Sequence, residues 1–231
     1  MAHLLDVVTE GILMSHDFSK THNDKLYHRP DGYIFPQIDI NSLGVIVLEY
    51  LKRTSDINEI KIVSFDGFTN SNIYGVLKIS KSRADIIVNS KLNACWLRFT
   101  ICKELLQLYI DTTSTQGGYA SQDIITQITD LVEIQDQYMN GAVVSTGFKN
   151  GANAIINKSI TEFQAITMAI DLIFPFNEKF VLAEVLKEML KAEEIKFYDI
   201  ACLFKMPEFV IKAYYASFHK LSNTIAKKQG L

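Results

Sequence analysis

The run Trp96-Leu97-Arg98-Phe99-Thr100-Ile101-Cys102-Lys103-Glu104-Leu105-Leu106-Gln107-Leu108-Tyr109-Ile110 constrains the fold of this chain more than any other segment. Phe99, Cys102, Leu105, Leu106 and Tyr109 form an apolar stripe at helical spacing, which predicts a helix over 95–111. Such a stripe must be covered by a second element, so this helix is expected at the centre of the domain. Lys103, Glu104 and Gln107 interrupt the apolar run. They belong either to the solvated side of an amphipathic helix or to a site.

At 231 residues the chain can bury one sizeable core, or one core with a small appendage. Hydrophobic residues make up 48% and charged residues 21%, the balance of a globular protein. The net charge of −3 offers no global basic field to nucleic acid or to an anionic membrane. Cys95, Cys102 and Cys202 are odd in number, lack metal-site spacing and sit in apolar helical contexts, so buried reduced thiols are expected. The first residues lack a basic segment followed by a long apolar one, and no stretch approaches the roughly 18 apolar residues of a membrane span. These features give the expectation of a cytoplasmic protein with no membrane association.

Residues 1–35 read as an irregular N-terminal arm holding His3, His16, His22 and His28. The six-residue spacing of the last three suits neither one helical face nor one strand face. Ile40, Leu43, Val47, Tyr50 and Leu51 predict a helix over 39–53, with Asp39 or Asn41 as its cap. Residues 60–65, 74–79 and 84–89 are short β-branched runs, from which a small antiparallel sheet is expected. Residues 112–120 carry Thr and Ser and the pair Gly117-Gly118, predicting a loop. A helix is expected from Ser121 to about Met139, and Gly141, Gly147 and Gly151 punctuate the stretch that follows. Further helices are predicted over 159–173, 181–193, 197–204 and 208–221, with Pro207 as the first helical residue of the last. The 95–111 and 159–173 helices, both broadly apolar, are expected to pack on each other.

Several phrases follow one another in a telling order. Asp85-Ile86-Ile87-Val88-Asn89 precedes Arg98-Phe99-Thr100-Ile101-Cys102-Lys103-Glu104. Glu162-Phe163-Gln164-Ala165 leads, within one predicted helix, to Ala169-Ile170-Asp171-Leu172-Ile173-Phe174-Pro175, and Ala201-Cys202-Leu203-Phe204-Lys205-Met206 comes later. Over roughly residues 36–221 this order resembles the ImmA/IrrE family of zinc metallopeptidases, which typically cleave or destabilise helix-turn-helix repressors. The resemblance implies an α+β, mainly helical, zincin-like fold with a C-terminal helical subdomain. It divides the chain into the arm at 1–35, a peptidase-like domain at 36–180 and a helical subdomain at 181–231.

In that family the central helix carries His-Glu-x-x-His. Two imidazoles at i and i+4 share one helical face and hold zinc, and the intervening Glu is the general base. Here the frame reads Lys103-Glu104-Leu105-Leu106-Gln107. The base position is kept, as a vestigial Glu104, and both ligand positions are lost. An ammonium has no lone pair to give a metal. A carboxamide oxygen is a poor substitute for imidazole. Glu162 matches the third ligand of the family, but Ser159-Ile160-Thr161-Glu162 is also a capping box, in which Glu162 would bond back to Ser159. Both roles stay open.

The sequence therefore leads to the expectation of a pseudo-metallopeptidase with no cofactor, no metal and no catalytic residue, with Lys103, Gln107 and Glu162 marking a former metal site. Its expected partner is another protein, a helix-turn-helix regulator among the candidates, and the family implies a phage, prophage or defence setting. Lys103 is expected within about 4 Å of a carboxylate, Glu162 before Glu104, where it would replace the missing cation. Two rivals stand beside this reading. One is an active metal peptidase that recruits a histidine of the arm to Glu104 and Glu162. The other is a DNA-binding regulator using the 197–204 and 208–221 helices, with Lys205, Lys212, His219 and Lys220 near the second. Against it, Phe209, Val210, Tyr214, Tyr215 and Phe218 make that helix too apolar for a groove.

Overall fold

The N-terminal segment corrects the expectation of an irregular arm. In the computed structural model, which describes residues 4–29, 31–32, 35–68, 73–111, 118–120, 153–174 and 179–230, Leu4–Leu26 form a 23-residue helix, α1. Its buried face includes Val8, Gly11, Ile12, Ser15 and Ser19. Small residues recur there every fourth position, Gly11, Ser15 and Ser19, so the period is helical while the chemistry reads as polar. A β-carbon on Gly11 would come within 3.1 Å of the Thr167 side chain. The stripe exists to bring a second helix close.

Two short strands, β1 (Tyr27–His28) and β2 (Gln37–Ile38), pair antiparallel before α2 (Ile40–Thr54). Asp39 caps α2, accepting from the Asn41 backbone N–H at 2.9 Å and from the Ser42 hydroxyl at 2.9 Å. Strands β3 (Glu59–Phe65), β4 (Gly75–Ser80) and β5 (Arg83–Asn89) follow close to the expected positions.

The four-stranded sheet is mixed, not antiparallel, and its order is β3-β5-β4-β6. β4 and β5 form a tight hairpin, Ser80 opposite Arg83, and β5 folds back between β4 and β3. That insertion makes β5 run parallel to β3, a register in which Ile62 faces Ile86. β6 (Gly118–Ala120) pairs with β4, so part of the segment expected as a loop is a strand. The helix predicted over 121–139, and Gly141, Gly147 and Gly151, lie outside the described residues.

α3 (Ala94–Ile110) begins at Asn93, whose side chain accepts from the Trp96 N–H at 3.0 Å. It packs against α2, β4, β5 and α4 (Asn153–Ile173), the pairing the two apolar faces predict, and α1 covers another side of α4. Ala84, Ile86 and Val88 of β5 and Leu77 of β4 are buried, as are Phe99, Leu105 and Leu106 of α3.

The remaining helices are α5 (Lys179–Lys191), α6 (Phe197–Phe204), α7 (Glu208–Ala213) and α8 (His219–Gln229), with a π-turn at Tyr214–Phe218 joining the last two. Pro207 caps α7 instead of opening it, and the helical path runs past 221 to Gln229. Phe174 stacks on Tyr214 at 4.3 Å between ring centroids and meets Phe204 at 4.5 Å. Val210, Tyr214, Tyr215 and Phe218 are buried, and Lys212 pairs with Glu208 at 2.8 Å. The apolar face of this helical segment is packed into the core. Of the three thiols expected to be buried, Cys102 is, Cys95 is half-buried and Cys202 is exposed. Among the described residues the protein is α+β and mainly helical, and no helix is long and apolar enough to cross a membrane.

Candidate functional site

Lys103, Glu104 and Gln107 do not lie on a solvated side of α3. They are 0%, 1% and 1% exposed, and Glu162 of α4 is 2% exposed. The sequence places Lys103 and Gln107 one turn apart on the same face. The structure aims that face at α4. The Lys103 ammonium donates to Gln107 Oε1 at 2.8 Å, to Glu104 Oε1 at 3.1 Å and to Glu162 Oε1 at 3.3 Å. All three donor hydrogens of the ammonium therefore have acceptors.

One sequence expectation is corrected here, and one open alternative does not fit. The sequence ranks Glu162 before Glu104 as the partner of Lys103, yet Glu104 is the nearer carboxylate. The four-carbon lysine stem lets Nζ lean along the helix until adjacent side chains converge. The capping box is the alternative that does not fit. α4 begins at Asn153, so Ser159 lies in the helix interior and Glu162 well past the first turn. The Glu162 carboxylate accepts from Lys103 instead.

A glycine that sequence reasoning passed over shapes one wall. β4 crosses α3 so closely that a β-carbon on Gly75 would stand 2.8 Å from Thr100 Cγ2 and 3.5 Å from Glu104 Oε1. Only glycine admits the strand at this distance without moving Thr100, which is itself fully buried. Glycine opening an otherwise β-branched strand was the signal.

Arg98 of the family-like phrase braces the site from behind. Its guanidinium donates to Ile38 O at 2.7 Å, Phe204 O at 2.9 Å and Lys205 O at 3.3 Å. It thereby joins β2, α3 and the end of α6. Burial pulls its pKa down, and Cys102, Cys95 and Asp39 oppose that change.

A second buried polar group was also missed. Asp171 of α4 accepts from the Ser15 hydroxyl of α1 at 2.7 Å and from the Ser222 hydroxyl of α8 at 2.8 Å, and His16 Nε2 lies 3.5 Å away. Serine, histidine and aspartate meet here without forming a nucleophilic triad, because both hydroxyls point at the carboxylate and the four groups are at most 1% exposed. The group ties three helices together. An aspartate set between Ile170 and Leu172 in an apolar helix was the available signal.

Among the described residues the rival metal set is not assembled. His16 stands with Asp171, about 13 Å along α4 from Glu162, and His22 packs on the Phe18 ring at 4.9 Å. His28 is on the surface, and His3 lies outside the described residues. Among the described residues no three histidine, cysteine or acidic side chains converge as a metal site would require. The residues around Lys103 do not suit zinc either. Two carboxylates and a carboxamide could ligate weakly, but an ammonium lies among them, within hydrogen-bond distance of each.

Chemically, the cluster can fasten α3 to α4. At an effective dielectric of about 20, one ammonium–carboxylate contact at this range is worth roughly 5 kcal/mol. Burial of each ion costs several kcal/mol in return. The terms nearly cancel while the set is complete and fail to cancel when one member is missing.

No protein-family model matches the chain, and no curated protein matches it.

Proposed function

We propose that this chain is a catalytically inactive, ImmA/IrrE-like protein with a zincin-like fold that acts as a protein-binding regulatory module. The observation that carries the reading is the Lys103 ammonium set among Glu104, Gln107 and Glu162 on the helix pair that, in an active relative, would hold the metal. A protein's own cation there neutralises the carboxylates and leaves no ligand set for zinc and no metal-activated water. Packing of α3 on α4, and of β4 and β5 on α3, agrees with the same reading. With peptidase chemistry gone, what such a scaffold retains is its surface, and the partner class the resemblance suggests is a helix-turn-helix regulator in phage, prophage or defence regulation.

The test combines metal analysis with partner capture. The purified protein is assayed for bound zinc and then incubated with helix-turn-helix regulators from its own host. Stable complex formation with an intact regulator and no stoichiometric metal is the expected result. Stoichiometric zinc, or cleavage of the regulator, would overturn the proposal.

A further inference from the structure

Helix α5 carries two apolar faces. Leu182, Ala183 and Leu186 are buried in the core, whereas Val181 and Val185, one turn apart, are 73% and 52% exposed. An open groove continues this outer stripe. Its apolar lining is Val185, Met189 and Ala192, and its polar lining is Glu184, Glu188 and Glu194. From Val181 to Ala192 the apolar members recur at three- and four-residue spacing, so the stripe follows the helix for about 16 Å. The turn that stops α5 shapes the far end, where the Ala192 and Glu194 N–H groups donate to Glu188 O and Met189 O, each at 3.0 Å. Glu193 in that turn takes a left-handed conformation, φ 60°, at a position where helices ordinarily place glycine. Glu193 and Glu194 thus stand at the negative pole of the helix, which favours cations. Lys187 lies 4.0 Å from Glu184, and Lys191 lies 2.7 Å from Glu188. Both are solvent-accessible i,i+3 pairs, which water screens and a competing cation can open.

We propose that this face of α5 docks a cationic amphipathic helix of a partner protein. Two features choose that occupant. The polar lining of the groove is all carboxylate, so it complements Lys and Arg and repels nucleic acid. Its wall is the side-chain surface of a helix and offers no sheet edge. An extended segment laid there would leave its backbone N–H and C=O groups unpaired, whereas a helix satisfies its own. The partner's apolar residues, at i, i+3, i+4 and i+7, lie along Val181, Val185 and Met189. Lys or Arg beside them reaches Glu184 and Glu188, and a cation at the end of the segment meets Glu194 and the carbonyl pole of α5. The same carboxylates disfavour a second copy of α5, because Glu184 and Glu188 would be brought toward their own counterparts. Docking here deepens the protein-binding part of the proposed function and rests on it, but not on the loss of metal chemistry at Lys103.

The full-length protein is titrated into fluorescent synthetic peptides of about 18 residues. One peptide has a leucine stripe at helical spacing flanked by lysine and arginine. A second has glutamate in place of the basic residues, and a third scrambles the first so that the stripe is lost. Saturable binding of the first alone is expected, one peptide per chain, weakening as salt is raised, with protection from hydrogen exchange gathered on α5. Val181→Ser with Val185→Ser, and separately Glu188→Gln with Glu194→Gln, should each weaken binding roughly tenfold or more. All four residues are exposed, so the circular dichroism of both double variants should match the wild type. Binding that survives both double variants, extends equally to the scrambled peptide or protects another face would overturn the proposal. So would no binding at all, or self-association of the wild-type chain that Val181→Ser with Val185→Ser abolishes.

Discussion

The Lys103 ammonium of α3 stands 3.3 Å from the Glu162 carboxylate of α4, both essentially without solvent contact. The pair links the two helices that dominate the core, and one member cannot be removed quietly. Lys103→Ala leaves two buried carboxylates facing each other, and is expected to destabilise the protein by about 3–5 kcal/mol in urea unfolding. Lys103→Met combined with Glu162→Gln should cost clearly less than the sum of the single changes, since each single change strands the other's charge. Strict additivity would mean that the pair is not coupled.

Lys103→His together with Gln107→His returns two imidazoles at i and i+4 on the face that meets Glu162. This variant is expected to gain measurable zinc affinity in a competition titration against a chromophoric chelator, while the wild type shows none. A correctly folded double variant that ignores zinc would show that the helix pair no longer has the spacing of a metal site, and would weaken the proposed ancestry.

Gly75→Ala drives a methyl group to within 2.8 Å of Thr100 Cγ2, beside Glu104. Overpacking of this kind costs typically about 1–3 kcal/mol. Thr100→Ala introduced alongside Gly75→Ala should recover part of the loss, because it removes the atom being struck. No recovery would place the strain in the backbone of β4 instead.

His219 of α8 is almost fully buried, 3.2 Å from Glu184. Burial, helped by Lys187, pulls its pKa below the usual histidine value, and Glu184 opposes the shift without cancelling it. The unfolded chain therefore binds a proton more readily than the folded one, and stability must rise with pH between the two values. Stability is expected to decline as pH falls below about 6.5, the unfolded value, and to level off once the folded histidine is also protonated. His219→Gln should flatten this part of the profile. An unchanged slope in the variant would assign the acid sensitivity to other groups.

The arrangement of β-branched runs, the cap at Asp39 and the helices over 40–54, 94–110 and 197–204 could be read from residue order, because each depends on periodicity within one segment. The one-turn spacing of Lys103 and Gln107 was legible in the same way, whereas Glu162 as a neighbour of Lys103 was suggested by the family resemblance and not by periodicity. α1 was not, since its buried face uses Gly11, Ser15 and Ser19, and smallness has a purpose only against Thr167 of a helix about 150 residues later. The parallel pairing of β3 and β5 depends on where a hairpin is inserted, which no single strand encodes. The Asp171 group unites α1, α4 and α8, elements whose closeness is a property of packing alone.

Local sequence thus determined the helices over 40–54, 94–110 and 197–204 and the runs that become β3, β4 and β5, and it placed Lys103 and Gln107 one turn apart on one helical face. Only the tertiary structure decided that this polar face points inward. A lone α3 would turn Lys103, Glu104 and Gln107 to water. Burial against α4 and β4 removes that water, and the ammonium must then find its acceptors among Glu104, Gln107 and Glu162.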